Sequence, residues 1–310
     1  MKRSKTVLML ASVASMIDQF NMPNIRLLQE LGYEVHVMCN FREGSTCDAR
    51  RVRKLQRTLR ELHVPQHSWD CPRSISSFYK CLKAYRQLKR LIDRNSFSLM
   101  HCHSPIGAAL ARVAAHQNGI PVIYTAHGFH FYQGAPVKNW LLYYPAEKLL
   151  SRWTDVLITV NQEDFCIAKR HLHAGKVCRI PGIGIDTEKF AFAASGSDIK
   201  NHASAAREDV RKKRKELLYR KFGIPQDALL LLSVGELNRG KNHRMVISAM
   251  AGLTRPDVYY LICGQGPQRK KLLRYAQKVG AADRIRMPGY QEDMENIYPG
   301  ADIFILLLQR

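Results

Sequence analysis

The chain has 310 residues, 46% hydrophobic and 24% charged, which is typical of a globular protein with real cores and long enough for two domains. Its formal net charge of +22 is spread over both halves and favours phosphates or anionic lipid headgroups as partners. No apolar run approaches the roughly 20 residues of a membrane-spanning helix, and the basic runs match no nucleic-acid-binding signature. The eight cysteines form no CxxC pair, which argues against a zinc knuckle or a disulfide framework and favours reduced thiols in the cytoplasm.

Apolar runs alternate with helical patterns through the first half of the chain. The first run, KTVLMLA, is interpreted as a buried strand and not as a signal peptide, because its apolar part is short and broken by serines. The alternation predicts a mostly parallel sheet with helices on both faces. Strands are expected at 5–11, 33–39, 64–69, 98–102, 121–125, 155–160 and 177–181, and amphipathic helices at 18–31, 75–94 and 106–118.

A glycine-bearing run, PGIGIDTEKF at 181–190, interrupts this rhythm before the alternation restarts. Apolar runs at 228–235, 257–264 and 302–308 predict further strands, separated by helices beginning near 239 and 267. The fold class predicted is therefore α/β, with two Rossmann-like doubly wound domains facing a cleft, at residues 1–183 and 184–310. Since nothing follows the run DIFILLL except Gln309 and Arg310, we expect the second domain to be incomplete.

Polar residues cluster where predicted strands of the first half end. His103 and Ser104 precede a helix start, and the loop TAHGFHF carries His127, Gly128 and His130. In doubly wound folds ligands bind beyond the carboxyl ends of the strands, so these clusters predict a site. A hydrogen-bonded structural histidine is the competing interpretation of each. A metal at HCHS (101–104) is the weaker hypothesis, because no third ligand cluster accompanies it.

Three strand-end loops of the second half have the composition of a phosphate site. The loop SVGELNRGKNH combines Gly235 with Arg239 and Lys241 at a helix start, where cations and free backbone N–H groups suit a diphosphate. The other two are CGQGPQ (263–268) and MPGYQEDM (287–294). The loop after the first strand has no glycine, which excludes a GxGxxG dinucleotide site there.

Taken together and in order, these motifs resemble the family 4 glycosyltransferases. The matching segments are HSP (103–105), TAHGFHF (125–131), the crossover PGIGIDTEKF, SVGELNRGKNH, CGQGP and PGADIFILL (299–307). The resemblance is to members of bacterial exopolysaccharide and capsule clusters. It implies a GT-B fold and a retaining enzyme that moves sugar from a nucleotide-sugar donor, expected to be a UDP-sugar, with no cofactor and no metal.

The resemblance also implies roles for individual residues. His127 matches the histidine that contacts the donor sugar, and Lys241 the base that neutralises the departing diphosphate; both are predicted as catalytic. Other donor contacts are expected from Gly128, Gly235, Arg239, Gly264, Gly266, Pro288, Gly289 and Tyr290. The acceptor side is assigned to His103, Ser104, His130 and Phe131, with packing as the alternative for the last two.

The sequence departs from the family pattern at two places. Glu236 stands where the family commonly has an arginine, so Arg239 is expected to substitute for it. The family's pair of glutamates eight positions apart falls after a strand like DIFILLL, where this sequence has ended, and Glu292 and Glu295 have the wrong spacing. We therefore expect a C-terminally truncated enzyme.

The expected partners are a nucleotide sugar and a lipid-linked glycan acceptor, with no nucleic acid. An anionic membrane surface is a further expected partner, through basic helices at 50–60 and 80–94, which places the protein in the cytoplasm, peripheral to the inner face of the cell membrane. Two alternatives stay open: an impaired remnant that acts only as a membrane- or partner-binding module, and a sugar-nucleotide 2-epimerase.

Overall fold

The computed structural model describes residues 5–43, 47–73, 78–185 and 203–307, with 203–211 described by their backbone only. The chain divides into two units, residues 1–184 and 185–310. Half of the predicted crossover, from 186 to 190, lies outside the described residues.

The first unit is built on a seven-stranded parallel sheet. The order of its strands is β3-β2-β1-β4-β5-β6-β7. Successive strands are added on one side of β1 up to β3 and on its other side from β4 onward, so the direction of winding reverses between β1 and β4. Each strand begins and ends within two residues of its predicted range. The strands are β1 Thr6–Ala11, β2 Glu34–Cys39, β3 Gln66–Ser68, β4 Leu99–His103, β5 Val122–Ala126, β6 Val156–Thr159 and β7 Lys176–Arg179.

Helices cover both faces of this sheet. Successive residues of β1 enter different cores: Leu8 and Leu10 pack in one hydrophobic cluster, Met9 and Ala11 in the other. Every residue of β1 is buried as a result. The helices are α1 Ala14–Phe20, α2 Met22–Glu30, α3 Ala49–Glu61, α4 Phe78–Arg94, α5 Pro105–Gln117, α6 Val137–Leu150 and α7 Gln162–His171.

The single helix expected at 18–31 is two helices, α1 and α2. Asn21 separates them, and its side-chain amide donates to the carbonyl of Met16 at 2.9 Å. Pro23 follows in the first turn of α2, where its missing N–H costs nothing. Helix α1 also begins earlier than predicted, so the loop after β1 is reduced to Ser12 and Val13.

The second unit has a four-stranded parallel sheet in the order β10-β9-β8-β11. Its strands are β8 Leu229–Val234, β9 Val258–Cys263, β10 Ile285–Gly289 and β11 Ile303–Phe304. Strand β11 is shorter than the predicted 302–308, because it pairs with β8 through two residues only. The helices are α8 Ala203–Phe222, α9 His243–Gly252, α10 Arg269–Lys278 and α11 Met294–Ile297.

Asp302 joins the end of the chain to the rest of the second unit. Its carboxylate accepts from the backbone N–H of Leu230 at 2.8 Å and pairs with Lys215 at 2.7 Å, and the hydroxyl of Tyr219 lies 3.1 Å away. These contacts tie α8 and β8 to the segment before β11. The motif PGADIFILL therefore has a structural function in the residues described.

Candidate active site

A cavity of about 350 Å³ opens at the carboxyl ends of β1, β4 and β5 in the first unit. Parallel strands that change winding direction leave such a crevice at their ends. Four of the residues predicted for a site line it: Ser104, His127, Gly128 and His130. The other lining residues are Ser12, Val13, Met16, Arg73, Pro105, Ile106, Tyr124 and Tyr143.

His127 is positioned by a second histidine behind it. Its Nε2 lies 3.1 Å from Nδ1 of His103, a hydrogen-bonding distance set by the parallel pairing of β4 and β5. His103 is 1% exposed and does not line the cavity, so it contacts His127 and no acceptor surface. His101 lies behind in turn, with ring centroids 4.3 Å from His103 and its Nε2 2.9 Å from the hydroxyl of Thr125.

These three histidines are held neutral. Burial, together with the neighbouring His127, lowers the pKa of His101 to about 4. The pKa of His103 falls well below its ordinary value for the same reason, with both other histidines contributing. Burial also lowers the pKa of His127. At neutral pH the cluster therefore presents uncharged imidazoles, which can donate or accept a hydrogen bond but attract no phosphate by charge.

The tautomer of His127 follows from the surroundings of His103. Nε2 of His103 is buried and has no hydrogen-bond partner among the described residues. A proton placed there would be an unsatisfied buried N–H, which is costlier and rarer than an unsatisfied acceptor. The proton of His103 is therefore assigned to Nδ1, which donates to Nε2 of His127. His127 then carries its own proton on Nδ1, on the other side of the ring.

The start of α5 forms another wall of the cavity. Ser104, which precedes Pro105, has a φ of 71°, unusual for a residue other than glycine, and its Oγ accepts from the backbone N–H of Ser12 at 3.4 Å. The conformation turns the chain sharply from β4 into α5 and draws the loop after β1 toward it. The first turn of α5 thus contributes Pro105 and Ile106 to the lining.

The loop from His127 to Pro136 divides its side chains between cavity and core. Gly128 has a φ of 144°, which favours glycine, and the backbone N–H of Phe129 donates to Asp164 at 3.1 Å. His130 is exposed, with its ring centroid 4.5 Å from that of Tyr143. Phe131 is fully buried and stacks on Phe129, so it packs in the core and does not line the cavity.

In the second unit, the loops after β8 and β9 are packed backbone to backbone. A Cβ on Gly264 would lie 1.8 Å from the carbonyl oxygen of Gly235, and one on Gly266 would lie 2.6 Å from that of Leu237. The backbone N–H of Leu237 donates to the carbonyl of Gln265 at 2.8 Å. The two predicted glycines are therefore required by contact between the loops, a reason that the sequence did not reveal.

The loop after β8 presents its cations beside a helix N-terminus. The backbone N–H of Lys241 donates to Oδ1 of Asn238 at 3.0 Å, and the Lys241 stem runs along Gly235. Arg239 and Glu236 are both exposed, and Glu236 accepts from the side chain of Asn238 at 3.0 Å. Helix α9 begins two residues after Lys241, so its free N–H groups lie next to a lysine.

The third loop begins at the end of β10. Pro288 is exposed, and the carbonyl of Gly289 accepts from the backbone N–H of Gly264 at 2.8 Å. Tyr290, which follows, is 39% exposed. The structure thus brings all predicted donor residues of this unit into one group of adjoining loops. His243 is buried beside this loop group, with its Nδ1 3.2 Å from the hydroxyl of Tyr260.

Metal ligation finds no support in the described ranges, since no three His, Cys, Asp or Glu side chains there group closely enough to hold an ion. No helix of the described chain is both long and apolar enough to cross a membrane.

Two family models match the chain. The model of Glycosyltransferase Family 4 matches residues 25–189, and that of Glycosyl transferases group 1 matches residues 214–310. The chain belongs to glycosyltransferase family 4.

The relatives of this glycosyltransferase include two bacterial proteins that are named as glycosyltransferases. EpsD of Bacillus subtilis (strain 168) is 34% identical over 309 residues, covering 97% of this chain and 72% of EpsD. An Escherichia coli enzyme named UDP-Gal:alpha-D-GlcNAc-diphosphoundecaprenol alpha-1,3-galactosyltransferase is 25% identical, covering 96% of this chain and 71% of its own length.

Solved structures agree on the fold. HepE of Anabaena, crystallised with UDP-glucose, superposes with a TM-score of 0.70 at 14% identity, covering 98% of this chain and 74% of HepE. WaaG, a glycosyltransferase involved in lipopolysaccharide biosynthesis, gives a TM-score of 0.65 at 15% identity, covering 98% of this chain and 75% of WaaG. The two units of this glycosyltransferase are thus the two Rossmann-like domains of a GT-B fold, as predicted. The expectation that the second is incomplete stays a prediction.

Sequence reasoning about this glycosyltransferase missed several residues that the structure brings to the cavity. Tyr124 and Tyr143 lie in its wall, and Arg112 is buried with its guanidinium carbon 4.4 Å from the centroid of the Tyr124 ring. Arg112 makes a bidentate pair with Glu147, at 2.8 and 3.0 Å. One signal was available: an arginine in the otherwise small and apolar run PIGAALARVAA needs a buried partner.

Proposed function

We propose that this glycosyltransferase transfers a sugar, with retention of anomeric configuration, from a UDP-sugar to a lipid-linked glycan acceptor. The reaction contributes to the synthesis of an exopolysaccharide or capsule at the cytoplasmic face of the cell membrane. The observation that carries the proposal is the arrangement of Lys241 beside the N-terminus of α9.

Lys241 and α9 suit the diphosphate of the donor. Breaking the bond between sugar and phosphate concentrates negative charge on the departing diphosphate, and a fixed cation stabilises that charge more in the transition state than in the ground state. The free N–H groups at the N-terminus of α9 can donate further hydrogen bonds to the diphosphate, and the partial positive charge of the helix end also attracts it. Arg239 is the second cation of this loop, while the exposed carboxylate of Glu236 is turned to Asn238.

His127 suits the sugar. Its neutral ring, protonated on Nδ1, offers one N–H donor to a hydroxyl oxygen of a sugar in the cavity that it lines. A neutral donor holds the sugar without a charge that would oppose the positive character developing at the reacting carbon. Retention is proposed as a front-side displacement, in which the departing phosphate itself takes the proton of the attacking hydroxyl.

The nucleotide and acceptor are proposed from relatives. HepE was crystallised with UDP and with UDP-glucose, and the Escherichia coli relative is named for UDP-Gal. That enzyme and a Campylobacter jejuni relative are both named for undecaprenol-diphosphate-linked acceptors. Ser104, His130 and Tyr143, on the cavity wall, are the proposed acceptor contacts.

The donor site is tested by titrating UDP into the protein calorimetrically. We expect Lys241→Ala to weaken UDP binding by about tenfold or more, the value of one charge-assisted hydrogen bond. Lys278→Ala, which removes an exposed lysine at the far end of α10, is the matched control and should leave the affinity unchanged. Equal affinities of wild type and Lys241→Ala would contradict the proposal. Retention is checked separately, from the anomeric configuration of the product by NMR.

A further inference from the structure

Helix α6 is apolar on two opposite faces, and its unit covers only one of them. The inner face, with Trp140, Tyr143 and Tyr144, packs against the main hydrophobic core. On a helix of 3.6 residues per turn, five further apolar residues fall on the opposite side, and Val137, at the start of the helix, lies at the edge of that side. We name this the outer face of α6: Val137, Leu141, Leu142, Pro145, Ala146 and Leu149.

The outer face is largely open to solvent within its unit. Val137 and Leu141 are 73% and 74% exposed, and Leu142 and Leu149 are 56% and 51% exposed. A helix face that carries several large apolar side chains is normally covered by another surface. Four large exposed aliphatic side chains on one short helix therefore indicate a surface that is covered when the protein functions.

The charges around the outer face indicate what covers it. Lys138 in the first turn and Lys148 in the last turn project on this side, and Arg152 follows just after the helix; all three are exposed. The single acidic residue of α6, Glu147, is on the inner face, where it is buried against Arg112. An aliphatic strip bordered by cations and without carboxylates complements the surface of an anionic bilayer.

The position of α6 relates this surface to the cavity. Tyr143, on the inner face, and His130, shortly before the helix, both line the cavity that holds His127. The cavity and the outer face are thus separated by one helix diameter, about 10 Å. A glycan attached to a membrane lipid by a diphosphate can span that distance while its lipid stays in the bilayer.

We propose that the outer face of α6 inserts into the interfacial layer of an anionic membrane and presents the cavity to acceptors held there. The inference rests on the proposed lipid-linked acceptor. It assigns membrane insertion to α6, whereas the basic helix α3 contributes long-range attraction; of the cations of α3, Arg51 is already paired with Asp18.

The test is co-sedimentation with vesicles of phosphatidylethanolamine and phosphatidylglycerol, at low and high salt. Electrostatic attraction is screened at high salt, whereas insertion of leucines is not. We expect wild type to stay bound at high salt and the double variant Leu141→Gln/Leu149→Gln to bind there at least about tenfold more weakly. Leu27→Gln/Leu31→Gln, which changes two exposed leucines four residues apart at the end of α2, is the matched control and should bind like wild type.

Three outcomes would overturn the proposal: release of wild type at high salt, equal loss in the control variant, or binding by the α6 variant equal to wild type. If the α6 variant instead turned a dimer into a monomer by analytical ultracentrifugation without changing vesicle binding, the outer face would be a contact between two copies. Since vesicle binding needs neither donor nor acceptor, failure of this test is distinguishable from failure of sugar transfer. Thermal unfolding of each variant shows that it is folded.

Discussion

At the scale of single residues, the neutral histidine cluster is the main finding in the first unit. His127 lines the cavity, but its orientation and the location of its proton depend on His103, a residue that no ligand in the cavity would reach. Such a residue acts on the reaction by positioning another. It should therefore affect turnover more than donor affinity.

We predict that His103→Leu lowers kcat about tenfold with little change in the KM for the donor, since one hydrogen bond to His127 is lost. His103→Gln keeps an amide N–H that can donate to Nε2 of His127, and it should retain most of the activity. The pH profile of kcat for the leucine variant should also change, because Nε2 of His127 loses its hydrogen-bond donor and can bind a proton more readily. Equal losses in both variants would instead mean that His103 only fills space.

The burial of His101 predicts how stability depends on pH. Its pKa is about 4 in the folded chain, below the ordinary value of 6.5, so the unfolded chain binds a proton that the folded chain does not once the pH falls below about 6.5. The free energy of unfolding therefore falls as the pH drops from about 6.5 to about 4. At pH 5 the protonation of His101 in the unfolded chain has lowered it by about 2 kcal/mol.

Urea unfolding at neutral pH and at about pH 5 measures this effect. His101→Gln, which keeps a polar group for Thr125, should reduce the fall in stability between the two pH values by about 2 kcal/mol. His173→Gln controls for the loss of an exposed histidine. An unchanged fall in the His101 variant would show that this histidine does not resist protonation.

At the scale of elements, α6 is held from inside by a buried ion pair. Arg112 on α5 and Glu147 on α6 form two hydrogen bonds, and removing one partner leaves a buried charge uncompensated. The pair fixes α6 to α5 and so fixes the orientation of both of its apolar faces. We therefore expect the effects of removing Arg112 and of removing Glu147 on stability to be strongly coupled and not additive.

We predict that Arg112→Leu and Glu147→Leu each lower the free energy of unfolding by about 3–5 kcal/mol, whereas the double variant loses far less than the sum. Urea unfolding of the four proteins gives the coupling. The exposed pair of Lys89 and Asp93, four residues apart on α4, serves as the comparison and should show a small coupling. Additive losses at Arg112 and Glu147 would mean that the pair is not a unit.

Elements were more predictable from the sequence than contacts between them. Most of the strands follow from apolar runs, because a strand covered on both faces is largely apolar, whereas β3 (Gln66–Ser68) is polar. The pairing of His103 with His127 was not predictable, since it results from the register of β4 against β5 across 24 positions. Gly264 was predicted for the nucleotide, but what demands a glycine there is the backbone of Gly235.

At the scale of the whole molecule, the net charge of +22 affects stability as well as binding. A compact chain with so large an excess of one sign repels itself, and salt screens that repulsion. The same charge that would favour binding to an anionic surface therefore lowers the stability of the protein in dilute buffer.

We predict that raising sodium chloride from about 0.01 M to about 0.3 M increases the thermal midpoint by about 2–4 °C. Arg50→Glu/Arg53→Glu, at exposed positions of α3, should reduce the increase, and Arg50→Lys/Arg53→Lys should not. Differential scanning calorimetry measures the midpoints. A midpoint that fell with salt would indicate that attractive ion pairs outweigh the repulsion.

Pro145, in the middle of α6, has a consequence for how deeply the helix can enter a bilayer. A proline has no N–H, so the carbonyl of Leu141, one turn earlier, receives no hydrogen bond from it. Hydrocarbon offers no substitute donor, whereas water and lipid headgroups do. If α6 inserts as proposed, it must therefore lie at the level where headgroups still reach its backbone, parallel to the membrane plane. The N–H that Pro145 lacks would thus limit the depth of the proposed insertion.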